Sequence, residues 1–493
     1  MQSFKMFIDG EWLEAASGQT FETVDPYRGE PWALIPRADE KDAERAVEAA
    51  ARALHDPSWR GLMARERARL LFKLADLIER DAEKLADLEV KDNGKLMTEM
   101  LAQMQYMPEW YRYYGGLCDK IEGRVTQIDK PGMFHYITHE PVGVIVSITP
   151  WNSPLMLATW KIAPALAAGC TVVAKPSEYT SASMLFFAKL VEEAGFPRGV
   201  FNVVTGFGAE VGSKLVSHPK VAKIAFTGGD VGGRSVYKAA AENFKRVSLE
   251  LGGKSANIVF EDADIDDAVN GIITGVFAAT GQTCMAGSRA LVHESIYEKF
   301  VERLVAVAGA AKIGDPRDPA TNIAPVATSA QCQKILSYIE SAKAEGARCV
   351  LGGKQAKHPE GLNGLFVEPT IFADVTNDMR IAQEEVFGPV LVVIKFKDDD
   401  DAVRIANDTL YGLAAGLWTR DLQRTIDIPR RLEAGTVWVN AYRVISYLSP
   451  FGGFKQSGLG RENNLEGLME YLEVKSVYVN GKSGSKNPYI MNI

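Results

Sequence analysis

The sequence predicts an α/β protein built from two doubly wound parallel-sheet domains and a small separate β element. Three observations predict it. From Pro141 short apolar strands alternate with helices as far as Leu251. The alternation restarts after Gly252 and runs to about Asn440. Glycine-rich and polar clusters fall directly after the strands, where sheets of this type bind ligands. At 493 residues the chain has room for about three domains and a large core.

Composition removes several function classes. The net charge is −8 and no lysine or arginine run stands out, which argues against nucleic acid or an anionic membrane as partner. The acidic run Asp398–Asp401 reads as a solvated loop or helix start. The 5 cysteines are scattered and form no C-x-x-C, so neither a disulfide framework nor a structural zinc site is indicated. His135 and His139 stand close together on a stretch read as strand, and no metal is expected. The first residues carry early acids and no long apolar segment, so no secretory leader and no membrane span is expected. A reducing, cytoplasmic compartment suits a working thiol.

The first stretch, to about Tyr106, opens with a short strand lead-in and is otherwise helical. Asp39 is placed to cap a helix carrying Ala43, Val47, Ala50 and Leu54, and a second helix carries Leu70, Leu71, Leu74, Leu77 and Ile78. Later helices stop near Asn93-Gly94. Lys130-Pro131-Gly132-Met133 suits a type II turn, because proline fixes the first central φ and glycine accepts the positive second one. With Phe134, Tyr136 and Thr138 alternating after it, this stretch reads as an inserted hairpin. An isolated hairpin is marginal in water. It is expected to pair with another subunit, and the lone strand through Val474, Val477 and Val479 has the same need. A homodimer or homotetramer follows.

Strands are expected at Val142–Ile148, Thr171–Ala174, Val200–Val204, Lys223–Phe226 and Arg246–Leu251, with helices at Pro154–Ala168, Ser181–Ala194 and Val231–Ala241. Beyond Gly252 come the strand Ala256–Phe260, a helix Ile265–Ala279 ending at Gly281, and the strand Arg289–His293. Ser295 and Glu298 then form a capping box for a helix through Phe300 and Leu304. The expected units are 1–118 with 141–251, then 252–455, and lastly 119–140 with 470–493.

The chemistry concentrates between Glu250 and Arg289. Cys284 alone among the cysteines is set among glycines and small polar residues, in G-Q-T-C-M-A-G-S-R. A thiol nucleophile needs accessible, yielding backbone, which Gly281 and Gly287 would supply. A free cysteine is also commonly a small core hydrophobe, and the surroundings alone leave both readings open. Glu250 ends an apolar strand ahead of two glycines, placed either to reach a cleft as a base or to close the strand as a paired charge.

Seven motifs complete the picture: P-W-N at Pro150–Asn152, K-P-S-E at Lys175–Glu178, F-T-G-G at Phe226–Gly229, E-L-G-G-K from Glu250, G-Q-T-C ending at Cys284, E-E-V-F-G-P at Glu384–Pro389 and S-P-F-G-G-F-K at Ser449–Lys455. In this order they resemble the aldehyde dehydrogenase superfamily over nearly the whole chain. The resemblance makes Cys284 the nucleophile and gives the oxyanion to the Asn152 side-chain amide and the Cys284 backbone N–H. Hydride would pass to a nicotinamide ring, leaving a thioester that Glu250-activated water hydrolyses. Relatives that pass the acyl group to coenzyme A commonly lack a glutamate at this position, so hydrolysis is favoured. A CoA-acylating semialdehyde dehydrogenase and a non-catalytic binding or structural protein on the same scaffold are the alternatives.

By the same resemblance the first unit binds NAD and the second is catalytic. Lys175, Ser177 and Glu178 would meet the adenosine ribose. Glu178 accepts from the ribose hydroxyls and repels a 2′-phosphate, which favours NAD over NADP. Gly228 and Gly229 would meet the pyrophosphate at a helix start. A serine often stands at the second of these positions in relatives, so its hydroxyl contact is missing here. Glu385 and Phe387 would hold the nicotinamide ribose and ring, with Gln331 and Lys334 on the adenosine side. Ile148, Thr149, Trp151, Gly208, Phe226, Leu251 and Gly252 complete the cofactor surface. The substrate tunnel would be lined by Tyr106, Trp110, Leu157, Trp160, Thr283, Met285, Ile445 and Phe451, which suits a hydrophobic or aromatic aldehyde. Arg443 would favour a semialdehyde if it turned inward, but is expected to point outward.

Overall fold

The computed structural model describes residues 1–481 and Tyr489. Two large sheets organise the chain. The first has eight strands, with a parallel centre formed by Arg246–Glu250, Val221–Thr227, Val144–Ile148, Thr171–Lys175 and Phe201–Val203. The second has seven, six of them parallel: Thr370–Ala373, Val390–Phe396, Arg289–His293, Ala256–Val259, Ala414–Trp418 and Thr436–Val439. Their central strands are almost entirely buried, as sheets covered by helices on both faces require.

Local signals fixed many boundaries. Asp39 caps the helix Glu40–His55 in a capping box with Asp42. Gly94 ends the helix Ala82–Asn93 at φ +74°, a left-handed stop that suits glycine. The helix Pro154–Ala168 is buried throughout, and Ala182–Ala194 exposes only Lys189, Glu192 and Glu193. The region before Glu40 is richer in strand than expected. Met6–Ile8 and Glu11–Leu13 extend the first sheet beyond Phe201–Val203, and Gln2–Ser3, Glu30–Pro36 and Thr20–Asp25 form a sheet of their own.

Two expectations need correction. The hairpin and the C-terminal strand answer each other within one chain. Met133–Pro141 pairs with Leu472–Asn480 along its whole length, from Met133↔Asn480 to Pro141↔Leu472, and Arg124–Val125 adds a third strand. That pairing supplies ladder partners on one side of Leu472–Asn480, which stays the outer strand of this sheet. Within the expected 470–493 segment, residues 482–488 and 490–493 lie outside the described residues. The capping box of Ser295 and Glu298 does not form. A 3₁₀ turn Glu294–Ile296 precedes the helix Tyr297–Ala308, and the His293 ring accepts from the Ser295 N–H instead. Among the described residues no helix is long and apolar enough to cross a membrane.

Candidate active site

Cys284 lies just beyond the 3₁₀ turn Ala278–Gly281, in which Ala279, Thr280 and Gly281 all take positive φ. A Cβ on Gly281 would fall 1.9 Å from the Gly388 carbonyl oxygen, so a side chain does not fit there. The loop is tied down on several sides. Thr280 Oγ1 donates to the Ala324 carbonyl at 3.2 Å, Gln282 Nε2 to the Pro325 carbonyl at 3.3 Å, and Tyr442 OH to the Met285 carbonyl at 3.0 Å. A Cβ on Gly287 would touch the Tyr442 ring at 2.9 Å. The expected yielding loop is therefore corrected. Both glycines permit close packing and Gly281 a left-handed backbone, so the loop that carries Cys284 is held rather than yielding.

Two cavities meet at this sulfur. One is bounded by Trp151, Asn152, Gly228, Gly229, Glu250, Gly252, Cys284, Gln331, Lys334, Glu385 and Phe387. The other is bounded by Tyr106, Trp110, Trp160, Thr283, Met285, Arg443 and Ile445. Asn152, Leu157 and Cys284 line both. Asn152 Nδ2 donates to the Gln282 carbonyl at 3.1 Å, which fixes the amide beside the cysteine loop. The Cys284 N–H has no hydrogen-bond partner among the described residues.

Electrostatics set the two reacting groups against each other. Burial raises the Glu250 pKa to about 8, and the Cys284 thiol as a donor only partly offsets this. Both Glu250 carboxylate oxygens are buried without a partner at ordinary hydrogen-bond geometry. Burial, then the Glu250 charge, hold the Cys284 thiol well above its ordinary range. From the helix Pro154–Ala168 Lys161 Nζ, fully buried, donates to Glu462 at 2.7 Å, to Thr227 Oγ1 at 2.6 Å and to the Leu157 carbonyl at 3.2 Å.

The residues expected to meet a dinucleotide divide into groups. Lys175 ends its strand, almost wholly buried. Its ammonium donates to the Pro176 carbonyl at 3.0 Å and lies 3.9 Å from Glu178, and burial lowers its pKa. Glu385 folds over the glycine pair after Glu250. It accepts from the Gly253 N–H at 3.1 Å, and a Cβ on Gly252 would strike its carboxylate at 2.6 Å. Gly229 starts the helix Asp230–Ala241, and no side chain caps that helix. Thr149 Oγ1 is buried without a partner. An uncapped helix start, an orphaned hydroxyl and a buried ammonium with spare donors fit the phosphates and hydroxyls of a dinucleotide.

Other expected residues stand elsewhere. Phe226 and Leu251 lie beneath the glycine turn: Cβ atoms on Gly228 and Gly233 would meet them at 2.6 and 2.5 Å. Gln331 and Lys334, expected on the adenosine side, share the Cys284 cavity with Glu385 and Phe387, and Gln331 Nε2 donates to the Val386 and Phe387 carbonyls at 2.9 Å. Ile148, Ser177 and Gly208 sit at or just beyond strand ends outside that cavity. Phe451 lines neither cavity and packs edge-on against Trp160, with ring centroids 5.3 Å apart. Arg443 does line the second cavity, against the expectation that it points outward. Lys95, Gln103, Ser153 and Met156 line it too and escaped sequence reasoning. Lys95 had one signal, a lone cation directly after the glycine stop of one helix and before the next.

Comparison with known proteins places this geometry. The profile of the aldehyde dehydrogenase family matches residues 12–477. A (Z)-2-((N-methylformamido)methylene)-5-hydroxybutyrolactone dehydrogenase of Acinetobacter baylyi is 47% identical over 480 residues, 97% of each chain. A betaine aldehyde dehydrogenase of Bacillus subtilis is 44% identical, covering 98% of each. Among solved structures, the NAD+ complex of a Bacillus cereus aldehyde dehydrogenase is 46% identical with a TM-score of 0.95, covering 98% of this chain and 97% of that one. A Staphylococcus aureus betaine aldehyde dehydrogenase in complex with NAD+ is 41% identical with a TM-score of 0.97, covering 99% and 97%. The chain belongs to the aldehyde dehydrogenase family.

Proposed function

We propose that the protein oxidises an aldehyde to the carboxylic acid with NAD, through a thiohemiacetal and then a thioester on Cys284. The observation that carries this reading is the convergence of Cys284, Asn152 and Glu250 on one cavity wall. The Cys284 thiolate attacks the aldehyde carbon. The Asn152 amide and the free Cys284 N–H donate to the oxyanion. NAD, when bound, supplies the hydride acceptor. Glu250 in its basic form takes a proton from water, which then opens the thioester. Lys175 and Glu178 hold the adenosine ribose, Gly228 and Gly229 the pyrophosphate, and Glu385 the nicotinamide ribose. Glu178 disfavours NADP by charge repulsion.

The walls of Tyr106, Trp110, Trp160 and Leu157 suit an aldehyde with an apolar or aromatic body. A cationic substrate such as betaine aldehyde is disfavoured by Lys95 and Arg443 on the same cavity. NADH absorbance with a panel of aldehydes tests the activity. Wild type should yield one acid per NADH without coenzyme A, and Cys284→Ala should give no NADH while binding NAD. Normal turnover by that variant, or product thioester formed only with coenzyme A, would refute the reading.

The unit 1–118 with 141–251 serves as the NAD domain and 252–455 as the catalytic one. The three-stranded sheet exposes Val125, Phe134, Val474, Tyr478 and Val479. Val125, Phe134 and Val479 lie on one face of it and Val474 and Tyr478 on the other, and these apolar patches support a homodimer or homotetramer. A Val474→Lys, Val479→Lys double variant should lower the mass seen by light scattering, and an unchanged mass would reject this interface. The five free cysteines suit a reducing, cytoplasmic compartment.

A further inference from the structure

The second cavity carries two charges that the reaction itself does not use. Lys95 and Arg443 both line it, and among the described residues neither forms an ion pair. Lys95 is 2% exposed, and its ammonium donates to Ser153 Oγ at 3.2 Å. An ammonium has three donors, so two remain uncommitted. Glu99 and Glu89 act on Lys95 only at longer range, and each gives an oxygen to a backbone N–H, of Ala279 at 2.7 Å and of Leu155 at 2.9 Å. Arg443 rises from a left-handed backbone position at φ +62°, and its Nη1 donates to the Thr274 carbonyl at 3.1 Å. The rest of its planar fork is uncommitted.

An unpaired buried cation is costly, and a second cation nearby adds to the cost. Burial, helped by the Arg443 charge and opposed by the Glu99 charge, brings the Lys95 pKa down to about 8. The surrounding wall is apolar, with Met156, Leu157, Trp160 and Ile445. A buried ammonium and a half-buried guanidinium on an otherwise apolar tunnel that ends on the nucleophile complement an anion carried by the substrate.

We propose that the substrate is an oxo acid, with its aldehyde at Cys284, an apolar or planar body between the aromatic walls, and a carboxylate received by Lys95 and Arg443. The proposal rests on the aldehyde-oxidising reading above and names its substrate class.

The test compares matched pairs by NADH formation: hexanal with 6-oxohexanoate, and benzaldehyde with 4-carboxybenzaldehyde. In wild type, kcat/KM should favour the carboxylated member of at least one pair by about tenfold or more, mainly through KM. Arg443→Leu should reduce that ratio by about tenfold or more, and Arg443→Lys should restore part of it. Lys95→Met should act in the same direction. Adipate should compete with hexanal in wild type and lose potency in Arg443→Leu. A wild-type ratio at or below one in both pairs would overturn the proposal even if no variant folds. So would a ratio that neither Arg443→Leu nor Lys95→Met changes. NADH from uncharged aldehydes with no carboxylate preference would leave the activity standing and remove this inference. No NADH from any aldehyde would remove both.

Discussion

Replacing Glu250 by glutamine tests the division of labour at the nucleophile. The side chain keeps its size and loses its charge, so packing is preserved. In wild type burial raises the Glu250 pKa to about 8. The basic form is the working form, so hydrolysis is present above that value and is lost as pH falls through it. At pH 7 about a tenth of Glu250 is ionised and at pH 9 about nine-tenths, so thioester hydrolysis should rise about tenfold over that interval. The variant should lose this rise, and its steady-state rate should fall by about a hundredfold or more. Acylation responds differently. The Glu250 charge is the second cause of the raised Cys284 thiol pKa, so removing it makes the thiolate easier to form. Stopped-flow NADH absorbance separates the steps. The variant should release a burst of about one NADH per site and then nearly stop. A variant with no burst and slowed acylation, or a wild-type hydrolysis rate flat from pH 7 to 9, would refute the assignment of Glu250 to water.

Two further substitutions test the neighbouring groups. Asn152→Ala removes one oxyanion donor and should lower kcat by about a hundred- to a thousandfold with little change in NAD affinity, read by steady-state kinetics and fluorescence titration. Lys161→Met leaves Glu462 buried without its ion pair and should cost about 3–5 kcal/mol, read as a lower denaturation midpoint; a midpoint unchanged from wild type would reject the pair as a structural tie.

Much of the fold was legible because its signals are local. Asp39 before Glu40, Gly94 after Asn93 and the apolar strands near Val146 and Val173 each speak through a few residues. The pairing of Met133–Pro141 with Leu472–Asn480 was not legible, since two strands so far apart in sequence carry no mark of one another. Ser295 and Glu298 had the right spacing, but the 3₁₀ turn moved the helix start to Tyr297 and left the box unused. In the site, motifs named the groups facing Cys284, whereas burial decided the rest. Phe226 and Phe451 carry the right residue type at a matching position, and each supports the wall from behind. Lys95 looked like punctuation after a helix stop because nothing in the sequence shows which way a lysine turns.

The meeting of two cavities at one sulfur has a consequence for how this protein diversifies. Among the described residues only Asn152, Leu157 and Cys284 belong to both chambers. Changes around Arg443 or Gln103 can therefore retune which tail is accepted without touching the groups around Glu385. The reverse holds for the dinucleotide. Evolution, or an engineer, can edit either side alone, and an inhibitor bridging both must thread past the nucleophile itself.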